Sequence, residues 1–191
     1  MKRINFVLAA FVISGLLAGC TEEAVPQLKK EVKDEQVMEV MNDKKVWKDV
    51  STPEGFNKYG IEPTLQAWIA YHAEEMAKTT DVHEYATKAT AISTESSKYF
   101  RVQGEYLQKD FTTLQVLGTT ISHFMYVRLE EEKQGIGTVE ATESLHKAIT
   151  YFTELLHDLD IIINHDGKGE LYGVTNQLGG QKAAELEAFI Y

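Results

Sequence analysis

The sequence is poor in cysteine, in basic residues and in proline. Cys20 is the only cysteine in 191 residues, which excludes an internal disulfide and a cysteine-ligated zinc site. Nineteen Lys and Arg stand against 29 Asp and Glu, a formal charge of −10. Because nonspecific nucleic-acid binding depends on clustered Lys and Arg, we expect no nucleic-acid partner. No proline follows Pro63, so residues 64–191 are free to form long helices.

The N-terminal residues 1–19 have the organisation of an export signal. Lys2 and Arg3 precede an almost wholly apolar run over residues 4–17. As a helix, that run would rise about 21 Å, which is short of the roughly 30 Å hydrocarbon core of a bilayer. The pattern therefore predicts a secretory signal peptide and not a membrane span.

The signal ends in Leu17-Ala18-Gly19-Cys20, which resembles the lipobox of bacterial lipoproteins. A plain signal peptide with an incidental cysteine is the alternative, but the only cysteine occupies the one position that a lipobox requires. The resemblance implies cleavage before Cys20, a diacylglyceryl group on its sulfur and room for an N-acyl chain such as palmitate. Two acyl chains anchor a protein stably where one is marginal. The resemblance covers residues 1–20 only.

The anchor implies a position on the outer, extracytoplasmic face of the cell membrane. Loss of Lys2 and Arg3 with the signal leaves 17 basic against 29 acidic residues, a formal −12. We expect such an acidic domain to stand off an anionic membrane surface. Residues 20–60 are predicted to form a lipidated tether, with a short docked or frayed helix near Trp47. The folded body is predicted over residues 61–191.

Apolar residues recur at helical spacing through the body, and no stretch alternates as a half-buried strand would. The predicted fold is all-α: an antiparallel bundle of about four helices, compact or elongated, with a short C-terminal helix from Gln181 to Ile190. Small residues in the second helix would permit a close approach of its neighbour. One helix from Val82 to Lys133 would be about 78 Å long, so a break is expected between Ser93 and Gly104. Asp81 with Glu84 resembles a capping box.

The third predicted helix carries a second stripe, opposite its main apolar face. That stripe is either buried, because the helix is central, or a docking surface for a partner protein; we favour burial. An exposed aromatic residue beside it could anchor a partner. The candidate partner surface comprises Val116, Thr120, His123, Tyr126 and Val127.

Two Glu-x-x-His pairs, Glu143/His146 and Glu154/His157, have a spacing that supplies metal ligands in ferritin-like bundles. Here both pairs lie on one helix, about 16 Å apart, and on its predicted water-facing side. We therefore predict no metal site from them. His72 lies on an apolar helix face, where a hydrogen-bonded core histidine is a commoner finding than a ligand.

The segment from Asn164 to Thr175 has some similarity to a calcium-binding loop. Asn164, Asp166 and Glu170 are its weak candidate ligands, but Lys168 replaces an acidic ligand and Thr175 stands where a bidentate Glu is required. We expect a glycine-rich turn and no metal.

Catalytic signatures such as G-x-S-x-G, the P-loop and the dinucleotide-binding glycines are missing from the sequence. With its only thiol acylated, the chain would have no cysteine nucleophile. We therefore predict a non-enzymatic lipoprotein without a cofactor, acting by protein contact as an immunity, surface-exclusion or envelope-assembly factor. The alternative is a ligand- or metal-binding lipoprotein that serves a transporter or the envelope, with its site near His72.

Overall fold

The computed structural model describes residues 47–52 and 64–191. The signal peptide, the lipobox with Cys20 and most of the predicted tether lie outside these residues. The described residues form an all-α bundle with one two-stranded ribbon, as predicted apart from the ribbon. In chain order the elements are β1 (Lys48–Asp49), α1 (Leu65–Lys78), α2 (Val82–Lys98), β2 (Val102–Gln103), α3 (Glu105–Lys133), α4 (Val139–Asn164) and α5 (Ala183–Ile190).

The four long helices pack around one apolar core. Helix α1 packs on α4, α4 packs on α3, and α3 packs on α2. The connections over 79–81 and 134–138 are short, so successive helices run antiparallel. Trp68, Phe100 and Phe152 are the largest fully buried side chains, and the indole of Trp68 stacks on the ring of Phe100 at 4.6 Å.

Helix boundaries follow the local chemistry of the sequence. The Asp81 carboxylate accepts a hydrogen bond from the backbone N–H of Glu84 at 2.8 Å, which confirms the predicted cap. Helix α2 ends at Lys98, so the break falls inside the predicted window. Gly104 then adopts φ 140°, a conformation that favours glycine, and α3 begins at the next residue.

Helices α2 and α3 approach each other closely at Gly118. A Cβ built on Gly118 would lie 2.8 Å from the carbonyl oxygen of Ala89 and 2.9 Å from the Cβ of Ser93. The small residues predicted to permit close packing of the second helix therefore do so here.

The ribbon joins the segment before the bundle to the break between α2 and α3. β1 pairs with β2 in antiparallel register, with Lys48 opposite Gln103 and Asp49 opposite Val102. Trp47 is half-buried and packs against the core. Lys48 and Asp49 form β1, and the residues before Trp47 for which a short helix is predicted lie outside the described residues. Residues 47–52, which we assigned to the tether, pack on the bundle.

Candidate functional site

The predicted partner surface on α3 remains open to solvent along its centre. His123 is exposed and Tyr126 is 63% exposed, whereas Val116, Thr120 and Val127 are only half-buried. The interpretation that we favoured, burial of α3 on both sides, is wrong. The reason is that α2 and α4 pack on α3 and the buried residues of α3 lie on the face that carries Leu114, whereas no described helix covers the opposite face fully.

Beside this surface, α3 and the short helix α5 form an apolar groove of about 640 Å³. Phe124 and Phe189 meet there with ring centroids 6.2 Å apart, and Ile190 extends the apolar wall. Threonine, glutamine and histidine side chains make up the polar part of the lining. Among the described residues, the lining contains no Asp, Glu, Lys or Arg: it consists of Thr112, Gln115, Val116, Thr119, Thr120, His123, Phe124, Phe189 and Ile190. We call this concavity the α3 groove.

A second depression, of about 620 Å³, adjoins the α3 groove. The two share Thr112 and Gln115. The second depression reaches the ribbon, where Arg101 and Val102 contribute to its lining. The concave surface therefore follows α3 from the ribbon to α5.

Helix α5, which forms one wall of the α3 groove, follows a segment over residues 172–177 that we call the strap. Two buried carboxylates bind the strap to the bundle. Asp158 on α4 is fully buried and accepts three backbone N–H bonds: from Tyr172 at 2.8 Å, from Gly173 at 2.9 Å and from Val174 at 3.1 Å. A buried carboxylate is tolerated only when its oxygens are satisfied in this way.

Asp110 on α3 holds the other end of the strap. One carboxylate oxygen accepts the backbone N–H of Asn176 at 2.6 Å and its side-chain N–H at 2.9 Å, and the other accepts the backbone N–H of Gln177 at 2.9 Å. Burial raises the pKa of Asp110 to about 6, although these three donors act in the opposite direction.

Sequence reasoning missed both of these carboxylates. Asp110 could have been found, because it falls on the apolar stripe of α3 between Leu107 and Leu114. Asp158 gives no such signal, because it lies about 120° from Phe152 on the helix surface, where an acidic residue would ordinarily face water.

Helix α5 is also held by side-chain contacts. Lys109 on α3 forms an ion pair with Glu187, and Lys182 lies 3.5 Å from the carboxylate of Glu154. Leu186 is buried in the core. The α5 wall of the groove is therefore fixed to both α3 and α4.

His72 is a buried core residue, as predicted. Its Nε2 lies 3.2 Å from Oε2 of Glu95, and the same oxygen accepts the indole N–H of Trp68 at 2.9 Å. Among the described residues no cluster of three or more His, Cys, Asp or Glu side chains could hold a metal ion. The alternative of a ligand- or metal-binding site near His72 stays a prediction.

The structure does not bring the two Glu-x-x-His pairs together. Glu143 and His146 are exposed, as predicted. The prediction that Glu154 faces water is wrong, because its side chain is only 15% exposed beside Lys182. His157 is also partly covered, since its ring packs edge-on against Tyr172 of the strap at 5.0 Å.

The calcium-like segment forms turns, as expected. Asn164 is the last residue of α4, and its side-chain amide donates to the carbonyl oxygen of Gln66 and to Asp160. Asp166 has φ 54° and Glu170 is exposed. The helix that would follow a calcium loop is missing here, because α5 begins only at Ala183 and the strap lies in between.

Comparison with protein-family models, with curated proteins and with solved structures finds no match to this chain. Within the described part of the chain, no helix has the length and apolar character that crossing a membrane requires.

Proposed function

We propose that this chain is a lipid-anchored, extracytoplasmic protein-binding module that takes up an amphipathic helix of a partner protein in the α3 groove. The lipobox-like sequence ending at Cys20 supports the anchor. The single observation that carries the binding role is the α3 groove itself: a concavity with apolar and uncharged polar lining, on a helix face that the described helices leave open.

The dimensions of the groove favour a helix as the occupant. Its lining residues on α3 run from Thr112 to Phe124, a length of about 18 Å or three helical turns. A helix of that length presents apolar residues at positions i, i+3 or i+4, and i+7 to one groove. Phe124, Phe189 and Ile190 would contact those residues, and the threonine hydroxyls would meet polar groups at the rim.

Charge favours a partner helix with basic flanks. The groove lining carries no acidic group, so an apolar helix face enters it without leaving a carboxylate unpaired. Without Lys2 and Arg3 the whole chain has a formal charge of −12, which attracts Lys and Arg at the ends of the bound helix and disfavours an acidic partner. The module acts by this contact and not by catalysis.

The test is site-specific photocrosslinking in intact host cells. Benzoylphenylalanine in place of Thr119, which lines the groove, should yield an adduct with a peptide that has an apolar helical stripe and Lys or Arg on either side. The same probe in place of Thr150, which is exposed on α4, should yield none. Val116→Asp in the Thr119 probe background should abolish the adduct while circular dichroism stays helical.

Three outcomes would contradict the proposal. They are equal adducts at Thr119 and Thr150, an adduct at Thr119 that survives Val116→Asp, and an adduct with lipid or with a second copy of this chain.

A further inference from the structure

Residues 37–45, which we call the tether segment, have the sequence pattern that the α3 groove would bind. The tether segment lies just before the ribbon in the chain and outside the described residues. Val37, Val40 and Met41 recur at positions i, i+3 and i+4, so on a helix they would form one apolar face. Two lysines end the tether segment. It therefore combines an apolar helical face with a basic end, which is the chemistry of the proposed partner helix.

The ribbon lies at one end of the concave surface along α3. Lys48 lies opposite Gln103 in the ribbon, and only two residues separate Lys48 from the tether segment. Gln103 lines the second depression, which shares Thr112 and Gln115 with the α3 groove. The tether segment is therefore joined to the chain at the surface that leads to the α3 groove.

The chain is long enough for the tether segment to enter the α3 groove. From Gln103 to Thr112, at the near end of the groove, two extended residues and the rise of α3 span at most about 17 Å. From Lys48 back to Met41, three extended residues and about one helical turn span about 16 Å. Val37 would then lie about 6 Å further along the groove.

The surfaces that would meet are complementary. Among the described residues the groove lining carries no Asp, Glu, Lys or Arg, so three apolar side chains can enter it without burying a charge. On a helix, the acidic residues Glu39 and Asp43 would point away from the apolar face. Residues 47–191 contain 12 basic and 22 acidic residues, a formal −10, which attracts the two lysines.

We propose that the tether segment occupies the α3 groove when no partner is bound and therefore competes with the partner helix. This inference rests on the proposed function, because it gives the same groove a second apolar helix. Two connecting residues hold the tether segment near the groove, at an effective concentration of about 2 mM. With an intrinsic Kd on the order of 1 mM, the tether segment raises the apparent Kd of the partner about threefold.

The first test is photocrosslinking of the purified full-length protein in detergent, without a partner. Benzoylphenylalanine in place of Thr119, in the groove lining, should form an adduct within one chain, at the mass of the monomer. Digestion with trypsin should join the probe to the peptide of residues 34–44. Val37→Asp and Val116→Asp should each abolish this adduct. Asn42→Asp is the matched control, since it adds the same charge outside the apolar face, and it should leave the adduct unchanged.

The second test measures competition in intact host cells. Val37→Asp should raise the yield of the partner adduct at Thr119 about threefold, because it removes the competitor, and Asn42→Asp should leave that yield unchanged.

The two proposals fail separately. The inference is overturned if no adduct forms within one chain, if that adduct survives Val37→Asp or Val116→Asp, or if Val37→Asp leaves the yield of the partner adduct unchanged; the proposed function stands in each case. An adduct within one chain that is lost in both variants, with no partner adduct in cells, would support occupancy by the tether segment and contradict the proposed function.

Discussion

Replacement of Gly118 by alanine tests the closest helix contact in the molecule. In an isolated helix this change would stabilise by about 1 kcal/mol, because glycine is a poor helix former. In this protein the added methyl group would lie 2.8 Å from the carbonyl oxygen of Ala89 and 2.9 Å from the Cβ of Ser93, and it would overlap the Ser93 hydroxyl. The two effects have opposite signs, so the sign of the measured change decides between them.

The structure indicates that the steric term is larger. Rotation of Ser93 would relieve the overlap with its hydroxyl but would break its 3.3 Å hydrogen bond to the carbonyl oxygen of Gln115, a loss of about 1 kcal/mol. The Ala89 carbonyl belongs to the backbone of α2 and cannot rotate away, so α2 and α3 must separate. Overpacking of this kind costs about 1–3 kcal/mol. We expect Gly118→Ala to lower the free energy of unfolding by about 2 kcal/mol.

Urea denaturation of the full-length protein, followed by circular dichroism, measures the effect. Gly137→Ala is the matched control, because no atom lies within 4 Å of a Cβ at Gly137 and the residue is in a loop; we expect a change within about 0.5 kcal/mol. Ser93→Ala combined with Gly118→Ala should restore only part of the loss, since the Ala89 carbonyl remains. If Gly118→Ala were as stable as the wild type, or if Ser93→Ala rescued it fully, the close approach of α2 and α3 would be refuted.

Three further predictions concern other parts of the chain. The native pKa of Asp110 is raised to about 6 from 3.8, so its contribution to stability is present at low pH and is lost as the pH rises through 6. The difference in free energy of unfolding between the wild type and Asp110→Asn should therefore shrink by about 2 kcal/mol from pH 4 to pH 7, and a constant difference would contradict this. Tyr85→Phe removes a hydroxyl that donates to the carbonyl oxygen of Ile149 at 3.1 Å and contacts the Thr153 hydroxyl at 2.6 Å. Urea denaturation should therefore show a free energy of unfolding lower by about 1 kcal/mol; an unchanged value would mean that water replaces both contacts. Cys20→Ala should abolish palmitate labelling and membrane retention in cell fractionation, and retention without the cysteine would refute the lipid anchor.

The helices could be predicted from the sequence because each depends on local chemistry. The apolar spacing from Leu65 to Met76, the cap at Asp81 and the length limit that required a break before Gly104 all involve residues close together in the chain. The fold class follows from these local signals, since amphipathic helices with short connections have few ways to bury their apolar faces.

The candidate site was less predictable because it depends on contacts between distant residues. The periodicity of the sequence predicts the second stripe on α3. Whether another helix covers this stripe depends on the side from which α4 packs, and periodicity does not predict that side. The strap is held by hydrogen bonds from backbone N–H groups to Asp110 and Asp158 across up to 67 residues. Any residue type except proline can supply such a donor, so the sequence of the strap gave no signal.

The hydrogen bonds from the strap to Asp110 and Asp158 affect how rigidly the α3 groove can hold a bound helix. Five backbone N–H groups of residues 172–177 end on Asp110 and Asp158, and α5 follows a few residues later. Moving α5 outward would strain the hydrogen bonds to these two buried carboxylates, and the movement would therefore cost much free energy. The α3 groove is therefore preorganised. A helix that binds there would contact a wall that is already fixed, so little binding free energy would be lost in ordering this protein.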